Sequence, residues 1–195
     1  MTTTVFVNTV TLSDEDWFND LDRLHYDIFG DPPVAFTSNT RISNIPIGGV
    51  AYGSLGTNAV HVAGTIYVAE LFLPYRKTIT GLAVMNGDVV GTDKLIVGLY
   101  AATGGAVVAN SALAGATSAG ADAFQEIALT ATYDALAGKY YAAVQCDGTT
   151  AKTRRIAAST YLNLAKSFAG SFGTLGSLTV PTTTAADTGP IVYAY

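Results

Sequence analysis

Hydrophobic and polar positions change rhythm along this chain, and each rhythm predicts a different element. Thr4-Val5-Phe6-Val7-Asn8 alternates as a strand does. From Trp17 the apolar positions step by four, three and four, through Leu21 and Leu24 to Ile28, the spacing of one helix face. Beyond Gly64 the pattern becomes a series of short apolar runs separated by Gly, Asn, Asp and Pro, the pattern of strands joined by turns.

Local signals sharpen the helix. Ser13 is a suitable N-cap, because its hydroxyl can accept from an unpaired amide of the first turn, and Asp16 stands at the capping-box position. Asp14, Glu15 and Asp16 complement the positive end of the helix dipole. Gly30 and Pro32-Pro33 stop the helix, which places it at about 14–29. The stripe Trp17, Leu21, Leu24 and Ile28 is as narrow as the seam of a helix packed on copies of itself, and Phe18 and Phe29 widen it. A single helix lying on one side of the β body has the same stripe, and two heptads leave both arrangements open.

Between the helix and the β pattern, isolated apolar residues stand among Ser, Thr, Asn and Gly, and no charge occurs from Ser43 to Ala69. A free linker normally carries charge, so this stretch is expected to be extended and to lie against protein. The strands that follow are predicted at Ile66–Leu73, Ile79–Met85 (closed by Asn86-Gly87-Asp88), Leu95–Tyr100, Ala106–Ala109, Phe124–Leu129, Lys139–Cys146, Thr153–Ala158 and Pro190–Tyr195. Asp147-Gly148-Thr149-Thr150 reads as the turn of a hairpin. Ser167 to Thr184 reads as a loop whose Phe168, Phe172, Leu175 and Leu178 pack on a neighbour or on their own domain. Strands at short spacing with no helices between them predict a mainly β fold. The expected architecture is an antiparallel β-sandwich, jelly-roll-like, preceded by an N-terminal extended segment and one amphipathic helix. The chain divides into an N-terminal segment (1–40), an extended linker (41–62) and a β-sandwich domain (63–195).

Charge adds a second asymmetry. Seven of the fifteen carboxylates lie before Pro32 against one basic residue, Arg23, so the leader carries −6. Everything after it, with nine basic and eight acidic residues, sums to +1. Charged residues make up only 13% of the chain and hydrophobic ones 49%. Such a deficit means membrane insertion, poor solubility or surface hidden against partners. No window of about 18 residues is continuously apolar, so no membrane insertion is expected, and the N-terminus lacks a basic region and cleavage site. Nor is a nucleic-acid partner expected, because the basic residues cluster no further than Arg76-Lys77 and Arg154-Arg155. Cys146 is the single cysteine and excludes an intrachain disulfide; it reads as a buried structural thiol.

Candidate chemistry is sparse. The two histidines, His25 and His61, have no metal-binding spacing, and neither a Gly-x-Ser-x-Gly elbow nor a phosphate-binding Gly loop occurs. No catalytic residue, metal site or cofactor is expected; a hydrolase would have to run through His61 and a triad assembled by the fold. Asp88 and Asp93 suit a calcium-binding loop, and more simply serve as turn formers. Tyr75, Tyr161, Phe168 and Phe172, near predicted loops, are candidates for a sugar-stacking platform.

Several of these residues carry a resemblance. Phe6-Val7-Asn8, Leu12-Ser13 and Asp16-Trp17-Phe18-Asn19-Asp20 together are similar to the N-terminal segment of tailed-bacteriophage fibre and spike proteins. In those proteins the leader precedes a helix and docks the fibre on the virion. The body resembles small β-sandwich domains of phage virion proteins at Gly98-Leu99-Tyr100, Ala109–Gly115, Phe124-Gln125 and Gly138–Ala142. The resemblance implies a virion protein without catalytic residues, normally a homotrimer. Its partners would be copies of itself, other tail, portal-proximal or capsid proteins and, through outer loops, a host surface glycan. Carried over by position, the docking residues are Phe6, Val7, Asn8, Leu12, Trp17 and Leu21, with Leu24 and Ile28 completing the oligomerisation seam. Thr9-Val10 stands where the leader often has Gly-Thr, and the chain is far shorter than a typical tail fibre. A short tail fibre or adaptor, a head fibre and a capsid decoration protein all fit. The alternative from another class is a carbohydrate-binding, receptor-binding β-sandwich module.

Overall fold

The computed structural model describes residues 41–46, 51–156 and 164–195, all within one compact unit running from Ser38 to Tyr195. The leader strand and the helix at about 14–29 lie outside the described residues, as do His25 and Tyr161.

The described chain is mainly β. Its strands are β1 (Ile42–Ser43), β2 (Thr57–Val60), β3 (Ile66–Leu73), β4 (Lys77–Met85), β5 (Lys94–Ala101), β6 (Val107–Asn110) and β7 (Ala116–Thr117), then β8 (Phe124–Ala135), β9 (Gly138–Cys146), β10 (Lys152–Ile156), β11 (Ala165–Phe168), β12 (Gly189–Pro190) and β13 (Val192–Ala194). One short 3₁₀ turn spans Tyr52–Ser54. The strands form three sheets: a six-stranded one ordered β11-β3-β9-β5-β6 with β7 also on β5, a four-stranded one ordered β1-β13-β4-β8, and a three-stranded one ordered β12-β10-β2. Every strand pair is antiparallel. Within the stretch read as a linker, Ile42 and Ser43 pair with β13, and Thr57 to Val60 pair with β10.

One core takes side chains from both larger sheets: Leu71, Leu73, Val97, Leu99, Ala142 and Val144 from the six-stranded sheet, and Ile79, Leu82, Val84, Ile127 and Val192 from the four-stranded one. The opposite face of the six-stranded sheet is covered too. There Ile66, Val68, Tyr100, Tyr141 and Ala143 cluster with Leu178, with Leu175, Val180 and Phe168 packed against them. The loop after β11 therefore packs on its own domain. Burial on both faces explains why Leu95 to Tyr100 is an unbroken apolar run: a strand with no solvent face has no reason to alternate. β8, at the edge of its sheet, does alternate, with Ile127 and Leu129 inward and Glu126, Ala128 and Thr130 outward. Beyond Gly81↔Ala128 the register of β8 shifts, and Leu129 bridges to Ser111 beside β6, stitching an edge of one sheet to the other.

Two sequence expectations need correction. Asp147 to Thr150 does not close a hairpin: β9 pairs with β3 and β5, whereas β10 pairs with β2 and β12. The cause is local. Asp93 Oδ2 accepts from the amides of Thr150 and Ala151, both at 2.7 Å, and Asp147 Oδ1 accepts from the Lys94 amide at 2.6 Å. These bonds hold the turn beside the start of β5 and send the chain into another sheet. Pro190–Tyr195, read as one strand, is instead two short strands in different sheets, β12 and β13, interrupted at Ile191. Ile191 turns inward to pack with Leu55, Met85 and Ile156.

Candidate functional site

On a sheet, side chains alternate between faces, and residues opposite one another on adjacent strands share a row. In the four-stranded sheet Ser43, Tyr193, Ala83 and Glu126 form such a row, on the face away from the core residues Ile42, Leu82 and Ile127. Ala83 is the middle member between Tyr193 and Glu126. Its methyl group is small enough for the Tyr193 hydroxyl to pass over it and donate to Glu126 Oε1 at 2.7 Å. Arg41, just before β1, donates from Nη2 to the same oxygen at 2.9 Å, and its guanidinium carbon lies 5.1 Å from the Tyr193 ring centroid.

An aromatic wall completes the arrangement. Phe124, two residues before Glu126 and therefore on the same face, has its ring centroid 4.8 Å from that of Tyr193. Tyr52, presented by the 3₁₀ turn, meets Phe124 edge to face at 5.3 Å. Tyr195 extends the strip, 6.2 Å from Tyr193, and lies over Gly81, where a Cβ would stand 2.1 Å from the ring. Together Arg41, Tyr52, Ala123, Phe124, Glu126 and Tyr193 line an open cleft of about 430 Å³.

Its electrostatics are self-compensating. The Tyr193 hydroxyl, and then Arg41, hold the Glu126 carboxyl below the usual carboxylate range. The bond to Glu126 raises Arg41, while burial and then Glu126 raise the Tyr193 phenol. At neutral pH the cleft thus carries one negative and one positive charge and a protonated phenol. Both protein bonds fall on Oε1, and among the described residues Oε2 accepts none. This set of groups can stack an apolar face and exchange hydrogen bonds beside it.

The other candidates occupy different settings. Phe6, Val7, Asn8, Leu12, Trp17, Leu21, Leu24 and Ile28 lie outside the described residues. Of the aromatics considered for sugar stacking, Tyr75 packs against the main core and Phe168 against the cluster on the far side of the six-stranded sheet. Phe172 is half-buried near Gly115. Tyr75 and Phe168 therefore stand in different clusters, and Tyr161 lies outside the described residues. Asp88 pairs with Lys152 at 3.0 Å, and Asp93 is committed to the turn amides.

His61 is 1% exposed, and among the described residues neither ring nitrogen has a hydrogen-bond partner. It stacks edge-on against Tyr67, and the Arg155 guanidinium lies over that ring too, 3.6 Å from its centroid. Burial first, and then Arg155, push its imidazole down to about 3. Cys146 is fully buried, and burial pushes its thiol up to about 11.

Sequence reasoning missed the cleft. The spacing Phe124-x-Glu126 put an aromatic and a carboxylate on one strand face, and Tyr193-x-Tyr195 did the same for two phenols. What was missing was the order β13-β4-β8, which brings the two pairs together. No protein-family model, curated protein or solved structure matches the chain.

Proposed function

We propose that this chain is a non-enzymatic structural component of a tailed-phage virion, either a short fibre (tail fibre, adaptor or head fibre) or a capsid decoration protein. Residues 1–40 dock on a neighbouring virion protein and trimerise, and the β body projects as a jelly-roll-like sandwich. The observation that carries this reading is the contrast between the two parts of the chain. A leader of charge −6 bearing the Phe6-Val7-Asn8 and Asp16–Asp20 motifs precedes a β body of charge +1. Support for the sandwich comes from the core to which both larger sheets contribute. Support for the trimer comes from the helix seam, since an isolated helix of this length is marginal in water and needs its apolar face covered.

The mass of the full chain in solution, measured by light scattering, tests the assembly. Three copies are expected, and single copies at all concentrations would overturn it. Removal of residues 1–33 is expected to leave a folded β body, its far-ultraviolet circular dichroism reduced only by the helical contribution of the leader, that no longer incorporates into particles. Incorporation without the leader would overturn the docking role.

A further inference from the structure

The geometry points to the cleft between β1, β13 and β8 as a binding site for a neutral saccharide, a pyranose stacked on the open face of Tyr52 with adjacent hydroxyls held by Glu126 and Arg41. Three observations define that ligand. The aromatic wall offers ring surface that is open at Tyr52, 42% exposed, while Phe124 and Tyr193 brace it from behind. Aromatic rings of this kind accept the C–H face of a sugar, and the phenol tip supplies a polar handle. Beside the wall, the carboxylate and guanidinium lie side by side, their side chains 42% and 60% exposed. Among the described residues Glu126 Oε2 accepts no hydrogen bond, while Arg41 Nη2 donates to Oε1, leaving further guanidinium donors on Arg41. One hydroxyl of a vicinal diol donates to Oε2 while its neighbour accepts from the guanidinium. Finally, the two charges cancel, so the cleft gives no net attraction to an anionic or a cationic ligand, and a neutral polyol is the complementary partner. The volume of about 430 Å³ lies in the usual range of small-ligand sites and accommodates a mono- or disaccharide unit. The described residues that line it all belong to the body, and the inference stands whether or not the chain is part of a virion.

The test is saturation-transfer NMR on the full chain with neutral disaccharides built from glucose, galactose, mannose and N-acetylglucosamine, alongside a sialylated and a uronate-containing disaccharide. At least one neutral disaccharide is expected to receive saturation on one ring face. Tyr52→Ala is expected to weaken that binding roughly fivefold or more, and Tyr52→Phe to retain most of it. Glu126→Gln, which keeps the shape of the carboxylate but replaces one oxygen with an amide, is expected to weaken it as well. The inference is overturned if no neutral sugar binds at millimolar concentration. It is equally overturned if Tyr52→Ala leaves binding unchanged, or if the anionic sugars bind better than the neutral ones.

Discussion

His61 illustrates how a buried titratable side chain sets the acid limit of a fold. Its imidazole is held neutral, at about 3 against an ordinary value near 6.5. The unfolded chain therefore binds a proton between those values that the folded chain refuses. Its contribution to stability is present above the unfolded value and is lost as pH falls, with a slope approaching about 1.4 kcal/mol per pH unit. Replacing His61 with Gln removes this proton. Urea midpoints at pH 7 and pH 4.5 are expected to differ less for His61→Gln than for the natural chain, and an equal difference would refute the account. Asp93 acts at the same scale through hydrogen bonds. Asp93→Ala strips the acceptor from two amides at a turn where Ala151 is buried, at a cost of roughly 2–3 kcal/mol. Asp93→Asn keeps a neutral acceptor and is expected to cost about half as much, which urea denaturation of both variants would measure.

At the level of elements, what the sequence made legible was what each stretch of chain does by itself. Apolar runs marked β3 (interrupted by Glu70), β5 and β9 (Tyr140 to Val144), and the alternation Phe124 to Leu129 marked the start of β8, because burial on two faces or one leaves its imprint on consecutive residues. Partners were not legible. Asn86-Gly87-Asp88 and Asp147–Thr150 are turn-forming sequences, yet each passes the chain between sheets, since the groups that redirect them come from distant residues such as Asp93. β1 and β2 were hidden in an uncharged stretch too short and too polar to show a period. The covering segment after β11 was visible as a loop with spaced apolar residues, and its attachment point is specific. Leu178 donates from its amide to the Gly105 carbonyl at 2.9 Å, and Gly105 has a φ of +63°, with Leu178 O only 1.9 Å from where a Cβ would stand. Gly105→Ala meets both the positive φ and that carbonyl, so a loss on the order of 2 kcal/mol or more is expected. Faster proteolysis between residues 169 and 181 is the signature to look for. Cleavage at the rate of the natural chain would mean the segment is held elsewhere.

For the whole molecule, charge and hydrophobicity act on assembly in opposite directions. In the proposed trimer, three leaders of −6 each are brought together by an apolar seam. Their mutual repulsion is screened by salt while the apolar contact is not weakened by it. Association is therefore expected to tighten as ionic strength rises, the reverse of an assembly held by ion pairs. Light scattering across a salt series reads the direction; dissociation at high salt would remove the seam from the account. Finally, the molecule carries a built-in clock. Cys146 ends β9, a strand flanked on both edges and covered on both faces, and its sulfur sits in the main core as a protonated thiol. A thiol-reactive dye reaches it only when that centre opens, so the rate of labelling counts the openings of the body one molecule at a time.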